Sequence, residues 1–226
     1  MTMIPLAPWP DGIADILKPA DFITRNLHLE TVPSLPAIRL YTAHPGSRLS
    51  RLAAPDDDDP PPPYWAWQWA GGLALAQHFA AHPEVVTDRR VLDLGAGSGL
   101  VSIAAAQAGA MASAVEIDPN GRAAIALNAA ANGVTVPLVG IDIAGAAPHG
   151  FDLIAAGDVF YNPEVSRLML PFLERCVAAG IAVLIGDPDR RDLPAGRLER
   201  VASYAVGDVG DKRDKAERVG SVYRLK

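Results

Sequence analysis

The sequence contains a single cysteine, which excludes an intrachain disulfide. That residue is Cys176 among 226 residues, and a chain without disulfides is typical of a reducing compartment. No apolar run reaches the roughly 18 residues of a membrane span. The first residues lack both the basic start of a secretory signal and the arginine-rich pattern of a transit peptide. We therefore expect a cytoplasmic protein without a membrane anchor.

Positive charge is also scarce. The chain has 20 Lys and Arg against 26 Asp and Glu, a formal net charge of −6 and a pI near 5.3. Such a surface does not attract phosphate backbones or anionic lipids, so we expect no nucleic-acid or membrane partner. A basic protein substrate is a better match, and we expect the chain to be a monomer.

A metal centre is not expected either. His78 and His82 have the spacing of a metal-binding pair on a helix, but the glutamate of an H-E-x-x-H motif is missing. We interpret the pair as part of an exposed helix face.

Composition divides the chain into two parts near residue 63. Residues 1–63 are rich in proline, with one short helix predicted near 11–18 and extended pieces near 27–31 and 37–42. Four aspartates at 56–59 precede four prolines at 60–63; carboxylates that repel and prolines that cannot donate hydrogen bonds indicate a solvated linker. We expect this N-terminal extension to form a lid or substrate platform for a domain spanning 64–226.

The second part alternates strand and helix patterns. Helices are predicted at 65–81, 100–108, 119–131 and from 163 onward. Strands are predicted at 90–94, 112–117, 137–141, 151–157, 181–186, 200–206 and 221–225. This order predicts a Rossmann-like α/β fold with seven strands, mostly parallel, and helices on both faces of the sheet. Ligands in such folds bind at the carboxyl ends of the strands.

A glycine loop follows the first strand of this domain and opens a helix. It reads Asp93-Leu94-Gly95-Ala96-Gly97-Ser98-Gly99. Its third glycine comes one position earlier than in the dinucleotide fingerprint, which disfavours a nicotinamide cofactor. The carboxylate of Asp93 suits a cationic group, such as the amino end of a methionine moiety. We take Asp93, Gly95, Gly97 and Ser98 as candidate cofactor contacts.

Acidic residues also end the next two predicted strands. Glu116 can accept both hydroxyls of a ribose, with Ile117 beside it as a further candidate contact, and Asp142 can accept from an adenine amino group. Together with the glycine loop, this trio of acids favours S-adenosyl-L-methionine as cofactor, with S-adenosyl-L-homocysteine as product.

The segment after the fourth predicted strand gives a more specific indication of the reaction. Its Asp158-Val159-Phe160-Tyr161 has the D-x-x-Y pattern and resembles the seven-β-strand protein lysine methyltransferases. Further segments resemble the electron-transfer-flavoprotein β-subunit lysine methyltransferases: Pro63-Tyr64-Trp65-Ala66, Trp69, Gly71-Gly72 and Ile185-Gly186-Asp187-Pro188. The resemblance covers roughly residues 21–206. Ribosomal L11 methyltransferases are similar in fold and loop, but their motif after the fourth strand differs.

The resemblance implies a methyl transfer from S-adenosyl-L-methionine to lysine side chains of a protein, the electron transfer flavoprotein β subunit first among them. It also implies that Asp158 binds and orients the target amine, with Tyr161 beside it, and that Trp65 contacts the cofactor. Two alternatives stay open: a ribosomal-protein methyltransferase, and a catalytically silent module that binds S-adenosyl-L-methionine.

Overall fold

The described part of the chain, residues 13–52, 62–206 and 218–226 of a computed structural model, contains five α-helices and eight strands. The helices are α1 (Ile13–Asn26), α2 (Ala70–Ala81), α3 (Leu100–Gln107), α4 (Pro119–Ala131) and α5 (Pro163–Ala178). The strands are β1 (His28–Val32), β2 (Leu35–Thr42), β3 (Arg90–Leu94), β4 (Met111–Val115), β5 (Leu153–Gly157), β6 (Ala182–Asp187), β7 (Leu198–Val206) and β8 (Arg218–Leu225).

Six of these strands form the main sheet, in the order β4-β3-β5-β6-β8-β7. The first four in this order pair in parallel, and β8 runs antiparallel to both of its neighbours. The chain moves outward from β3 to β4 and then returns to the other side of β3 with β5. The carboxyl ends of β3 and β5 therefore flank the switch point, where an open α/β sheet forms its ligand crevice.

The prediction of a strand at 137–141 is wrong, and the described sheet therefore has six strands instead of seven. The segment makes one bridge beside β4, in which Ala114 donates to the carbonyl of Pro137 and accepts from Val139, both at 2.9 Å. Pro137 has no amide hydrogen to extend the ladder, and Gly140 weakens the strand on the other side. The segment still covers the edge of the sheet where the seventh strand was predicted.

The helix predicted at 65–81 begins five residues late. Tyr64–Ala66 is a single 3₁₀ turn, the backbone at Trp67 and Trp69 is extended, and α2 starts at Ala70. The indole Nε1 of Trp69 donates to the carbonyl of Tyr64 at 2.8 Å, which holds this bend. The aromatic residues are therefore not on a helix face, as the pattern suggested.

Two apolar cores lie on the two faces of the sheet, because alternate strand residues point to opposite sides. Val91 and Leu153 face α2, α3 and α4, whereas Leu92 and Ile154 face α5. Helices on both faces are thus confirmed. Cys176 of α5 is fully buried in the second core, and burial raises the pKa of its thiol to about 11.

The N-terminal hairpin of β1 and β2 packs on the first core. Val32, Ile38 and Leu40 are buried among residues of α2, α3 and α4, and α1 packs along α4. The helix predicted near 11–18 is longer, and both extended pieces are confirmed as strands. The aspartates at 56–59 lie outside the described residues, and the domain boundary at 63 stays a prediction.

His78 is buried in α2, so the prediction of an exposed helix face is wrong for this residue. Its Nδ1 lies 2.9 Å from the hydroxyl of Tyr204. Within the described ranges, no group of three His, Cys, Asp or Glu side chains is placed to hold a metal ion. None of the helices in those ranges is both long and apolar enough to cross a membrane.

Candidate active site

A cleft opens at the carboxyl ends of β3 and β5. The glycine loop lines one side, Gly157 and Asp158 line the other, and residues 67–69 close it at the start of α2. Asp93 and Asp158 are the two acidic residues of the described chain that line this cleft. The arrangement brings the predicted cofactor loop and the predicted catalytic aspartate to one opening.

The glycine loop depends on backbone angles that other residues rarely adopt. Gly95, Gly97 and Gly99 have φ values of +72°, +53° and +80°, and Gly99 caps α3. The amides of Gly95 and Ala96 donate to the carbonyl of Val115 at 3.0 and 2.9 Å. The loop therefore folds back against the end of β4 instead of projecting its first amides into the cleft.

Asp93 ends up inside the protein at the base of this loop. It is 1% exposed, and its Oδ2 accepts from the backbone amide of Ser102 in the first turn of α3 at 2.9 Å. Burial raises the pKa of Asp93 to about 7, and the nearby Glu116 adds to the rise. Hydrogen bonds from the backbone and side chain of Ser102 act in the opposite direction. A cationic ligand in the cleft would favour the ionised form of this carboxyl group.

Glu116 lies at the end of β4 and joins the loop to α4. Its Oε2 accepts from the amide of Gly97 at 2.7 Å, and its Oε1 accepts from the amide of Asp118 at 2.9 Å. The side chain is 8% exposed, and burial raises its pKa. Ile117, directly after it, is 80% exposed, an unusual position for a large apolar residue. An exposed apolar surface next to Glu116, the predicted ribose-binding acid, suits a flat base.

Asp142 lies farther along the same edge of the sheet. It is exposed, and its Oδ1 accepts from the amide of Ala144 at 2.9 Å within a turn. It does not line the cleft as described above, and its contact with an adenine stays a prediction.

The polar groups of this site fit a methionine-derived cofactor better than a dinucleotide. A pyrophosphate needs free loop amides, but those of Gly95, Ala96 and Gly97 already donate within the protein. It would also approach the carboxylates of Asp93 and Glu116, which repel phosphate. An ammonium group and two ribose hydroxyls are donors, and the two acids accept from donors.

The three tryptophans of the aromatic segment separate into two environments. Trp65 is 2% exposed beneath the glycine loop, where a β-carbon at Gly97 would lie 3.6 Å from its Cα. Its indole Nε1 is buried without a hydrogen-bond partner. Trp67 and Trp69 line the cleft instead. Trp65 therefore supports the loop from behind, and its two neighbours face the ligand space.

Asp158 lies at the end of β5 with φ +59°, a left-handed conformation that is costly for a residue with a side chain. Its Oδ2 accepts from the amide of Gly72 at 2.7 Å, and its Oδ1 accepts from Nη1 of Arg190. Burial raises the pKa of Asp158, and the Arg190 charge acts in the opposite direction. Asp187, at the end of β6, contacts the same guanidinium through Oδ2 at 3.2 Å.

Tyr161 belongs to a group of aromatic rings beside the cleft. Its ring centroid lies 5.5 Å from that of Tyr64, which in turn lies 5.7 Å from Trp69. Tyr161 is 46% exposed, and Tyr64 is 44% exposed. Two half-exposed rings beside the cleft that Asp158 lines are suited to hold the apolar stem and cationic head of a lysine.

Of the predicted site residues, five line the cleft: Asp93, Gly95, Gly97, Ser98 and Asp158. Glu116 and Trp65 lie against the loop, Tyr161 lies near the cleft, and Ile117 and Asp142 do not line it. Arg190 was not predicted. The sequence feature that could have indicated Arg190 was Asp187 at the end of β6. Since β6 lies beside β5, residues that follow these two parallel strands come close together.

Comparisons with known proteins agree on methyl transfer. A family model described as ribosomal protein L11 methyltransferase matches residues 77–158. The electron transfer flavoprotein β subunit lysine methyltransferase of Danio rerio is 39% identical over 221 residues, which cover 94% of this chain and 84% of the relative. The enzyme of the same description from Rattus norvegicus is 37% identical over 191 residues, or 82% and 74% of the two chains.

The fold also matches a solved structure. The 16S rRNA N2 G1207 methyltransferase of Thermus thermophilus, in complex with AdoMet and guanosine, gives a TM-score of 0.53 at 19% identity. The match covers 88% of this chain and 50% of the solved chain. At this level of identity the match concerns the fold, which is that of the S-adenosyl-L-methionine-dependent methyltransferases.

Proposed function

The chain belongs to the electron transfer flavoprotein β subunit lysine methyltransferase family, and from this premise we propose that it methylates lysine side chains of an electron transfer flavoprotein β subunit, with S-adenosyl-L-methionine as methyl donor. One observation carries the proposal: the glycine loop with Asp93 and the acidic residue of the D-x-x-Y segment line one cleft. A donor held by the loop and an amine held by Asp158 would meet there.

The residues of the loop side would bind the donor. Asp93 would pair with its amino group, Glu116 would accept its ribose hydroxyls, and Ile117 and Asp142 would contact its adenine. Bound there, S-adenosyl-L-methionine supplies an electrophilic methyl group and a neutral thioether leaving group. The Gly95 and Gly97 backbone leaves room for the ligand, and Ser98 lies at the wall of the cleft.

The residues of the opposite side would prepare the nucleophile. A free lysine has a pKa near 10.4 and arrives as ammonium, but only the neutral amine has a lone pair for the displacement. Asp158 would accept a hydrogen bond from the amine and direct its lone pair toward the methyl carbon. The ammonium first loses a proton to water, and the new nitrogen–carbon bond then forms as the carbon–sulfur bond breaks. The products are a methylammonium group and the neutral thioether. Tyr64 and Tyr161 would flank the lysine stem.

One observation favours a second substrate, a ribosomal protein of the L11 type. The family model for L11 methyltransferases matches residues 77–158, which contain both the glycine loop and Asp158. That model covers about a third of the chain, 82 of its 226 residues, whereas the flavoprotein methyltransferase relatives match over most of its length. We therefore place the ribosomal protein second.

The test uses the purified chain with labelled S-adenosyl-L-methionine and two separate acceptors, an electron transfer flavoprotein β subunit and ribosomal protein L11. We expect label on the β subunit, and a fall in turnover of about 100-fold or more for Asp158→Asn with little change in affinity for S-adenosyl-L-homocysteine. Asp152→Asn is the matched control, because Asp152 lies just before the same strand in an exposed pair with Arg90. It should keep wild-type turnover.

Three results would contradict the proposal. Label on L11 alone would select the second substrate. Label on neither acceptor, with the donor bound, would favour a module without catalytic activity. Equal loss of turnover in both variants would mean that Asp158 has no role in the reaction.

The cytoplasmic location, the monomeric state and the lack of nucleic-acid or membrane partners also remain proposals.

A further inference from the structure

Two buried acids share one cation at the ends of β5 and β6. The side chains of Asp158 and Asp187 are 12% and 0% exposed, and the Arg190 side chain between them is 21% exposed. Like charges this close and this deeply buried are costly unless a cation lies between them. The structure places the guanidinium in that position.

Arg190 is fixed by more than its guanidinium. Its backbone amide donates to Asp187 Oδ1 at 2.6 Å, and its Nη1 contacts Asp187 Oδ2 at 3.2 Å as well as Asp158 Oδ1. If the guanidinium moved out on substrate binding, Asp187 would remain buried without a charge partner. We therefore expect Arg190 to stay in place while a lysine enters the cleft.

The charge at Asp158 matters for a reaction that needs a neutral amine. A lone buried carboxylate would hold an incoming lysine as ammonium, since an opposite charge favours the charged form. A carboxylate that is already paired with a guanidinium attracts a second cation less strongly. It still has lone pairs that can accept a hydrogen bond from an amine.

We infer that Arg190 is a positioning residue of the methyl-transfer site: by pairing with Asp158, it lets this carboxylate orient a neutral lysine amine instead of holding an ammonium ion. The inference rests on the proposed lysine methylation. Arg190 acts through Asp158 and has no assigned contact with the reacting atoms. Within the described residues, the other ionisable side chains in or beside the cleft include Asp93 and Glu116 at the loop and the tyrosines Tyr64 and Tyr161.

The experiment measures kcat and KM against pH for wild type, Arg190→Met and Arg190→Lys, with the flavoprotein β subunit as acceptor. In Arg190→Met we expect the rising limb of kcat to move to higher pH by about one unit or more, while KM for the acceptor does not increase. Arg190→Lys restores a cation and should return the midpoint most of the way to that of wild type.

Two controls separate this role from others. Arg90→Met removes an arginine from another Arg–Asp pair, at the start of β3, and should leave the pH midpoint unchanged. The affinity for S-adenosyl-L-homocysteine against pH reports on Asp93, and it should be the same in Arg190→Met and wild type. A lower kcat with an unchanged midpoint, not rescued by lysine, would mean a merely structural role and overturn the inference.

A measurement without substrate keeps the inference separate from the proposed function. Carbon-13 NMR of the aspartate carboxyl groups, assigned with Asp158→Asn, follows the titration of Asp158 in the free protein. Its midpoint should rise in Arg190→Met, and an unchanged midpoint would overturn the inference even if the flavoprotein is methylated. A wild type that methylates no flavoprotein would refute the proposed function, whereas this titration would still decide whether Arg190 controls Asp158. If Arg190→Met does not fold, Arg190→Gln, which keeps a hydrogen-bond donor beside Asp158 but removes the positive charge, should raise the same midpoint.

Discussion

Asp93 illustrates how a single buried carboxyl group links stability to ligand binding. Its ordinary pKa of 3.8 is raised to about 7 by burial. A raised pKa means that the folded state prefers the protonated form, so the stability that Asp93 contributes is full below about pH 4. That contribution is lost as the pH rises through 7. An amino group bound beside it would reverse this penalty by favouring the ionised form.

We predict that Asp93→Asn removes a pH dependence that wild type shows without cofactor. From about pH 4 to 8, the free energy of unfolding of wild type should fall relative to the variant by up to about 4 kcal/mol. The affinity for S-adenosyl-L-homocysteine should rise through pH 7 in wild type only. Denaturant unfolding and calorimetric titration at several pH values would measure both.

Asp152→Asn serves as the control for that series. Its pairing with Arg90 lowers the pKa of Asp152 to about 2, so it stays ionised in the folded state throughout the range. Parallel curves for wild type and Asp93→Asn would show that Asp93 does not titrate as its burial implies.

Sequence reasoning at this scale succeeds where a residue's position in a strand fixes its environment. Asp93, Glu116 and Asp158 follow strand patterns, so their places at one edge of the sheet could be predicted. Arg190 lies in a loop, and its contact with Asp158 spans 32 positions of sequence. No periodicity relates the two, and only the arrangement of β5 beside β6 brings them together.

At the scale of elements, the start of α2 is pressed against the ends of β5 and β6. A β-carbon at Gly71 would lie 2.1 Å from the carbonyl oxygen of Gly186, a distance that a real β-carbon does not occupy. This approach places the Gly72 amide at hydrogen-bonding distance from Asp158. Gly71 and Gly186 therefore set the height of the helix above the strand end that carries Asp158.

We predict opposite effects for alanine at these adjacent positions. Gly71→Ala must push α2 away from β6, which should cost about 3 kcal/mol of stability and reduce turnover, because Asp158 loses its amide partner. Gly72→Ala meets its nearest atoms at 3.8 and 3.9 Å, an ordinary contact. It should be neutral or stabilise the protein by up to about 1 kcal/mol through higher helix propensity.

Thermal unfolding and turnover of the two variants would test this prediction. For a chain of this size, 3 kcal/mol corresponds to a fall in Tm of roughly 6–12 °C. Equal stability of the two variants would mean that the close approach at Gly71 is not maintained in solution.

The elements also show where local patterns mislead. The helix predicted over 65–81 begins only at Ala70, where α2 packs through Gly71 against Gly186 of β6, more than 100 positions away in sequence. The strand over 137–141 failed for a local reason that proline and glycine already signalled. Two helix starts were predicted correctly: α4 begins at Pro119 and α5 at Pro163, where Asp118 and Asn162 cap the helices through their side chains.

At the scale of the whole molecule, the side chain of Asn128 connects the N-terminal hairpin to the glycine loop. Asn128 of α4 is fully buried; its Nδ2 donates to the carbonyl of Ser98, and its Oδ1 accepts from the amide of Tyr41, both at 2.8 Å. No described residue before Trp67 lines the cleft. The hairpin therefore contacts the support of the glycine loop, and the role of residues 1–63 as a lid or substrate platform stays a prediction.

We predict that Asn128→Leu weakens both the fold and the binding of the cofactor. Leucine has a similar volume but leaves the Ser98 carbonyl and the Tyr41 amide buried without partners, which should cost about 2–5 kcal/mol. Because Ser98 loses its anchor, the affinity for S-adenosyl-L-homocysteine should fall by about tenfold, equivalent to ~1.4 kcal/mol. Denaturant unfolding and calorimetric titration would give the two numbers.

Asn132 offers a control on the same helix, because it binds the hairpin but not the loop. Its side chain pairs with both the amide and the carbonyl of Arg39, at 2.9 and 2.6 Å, in a half-exposed position where water can replace it. Asn132→Ala should therefore loosen the hairpin slightly and leave cofactor affinity within about twofold of wild type. If both variants lost affinity equally, the hairpin as a whole would support the cofactor site. If neither did, the loop would hold its shape through its contacts with Val115 and Glu116.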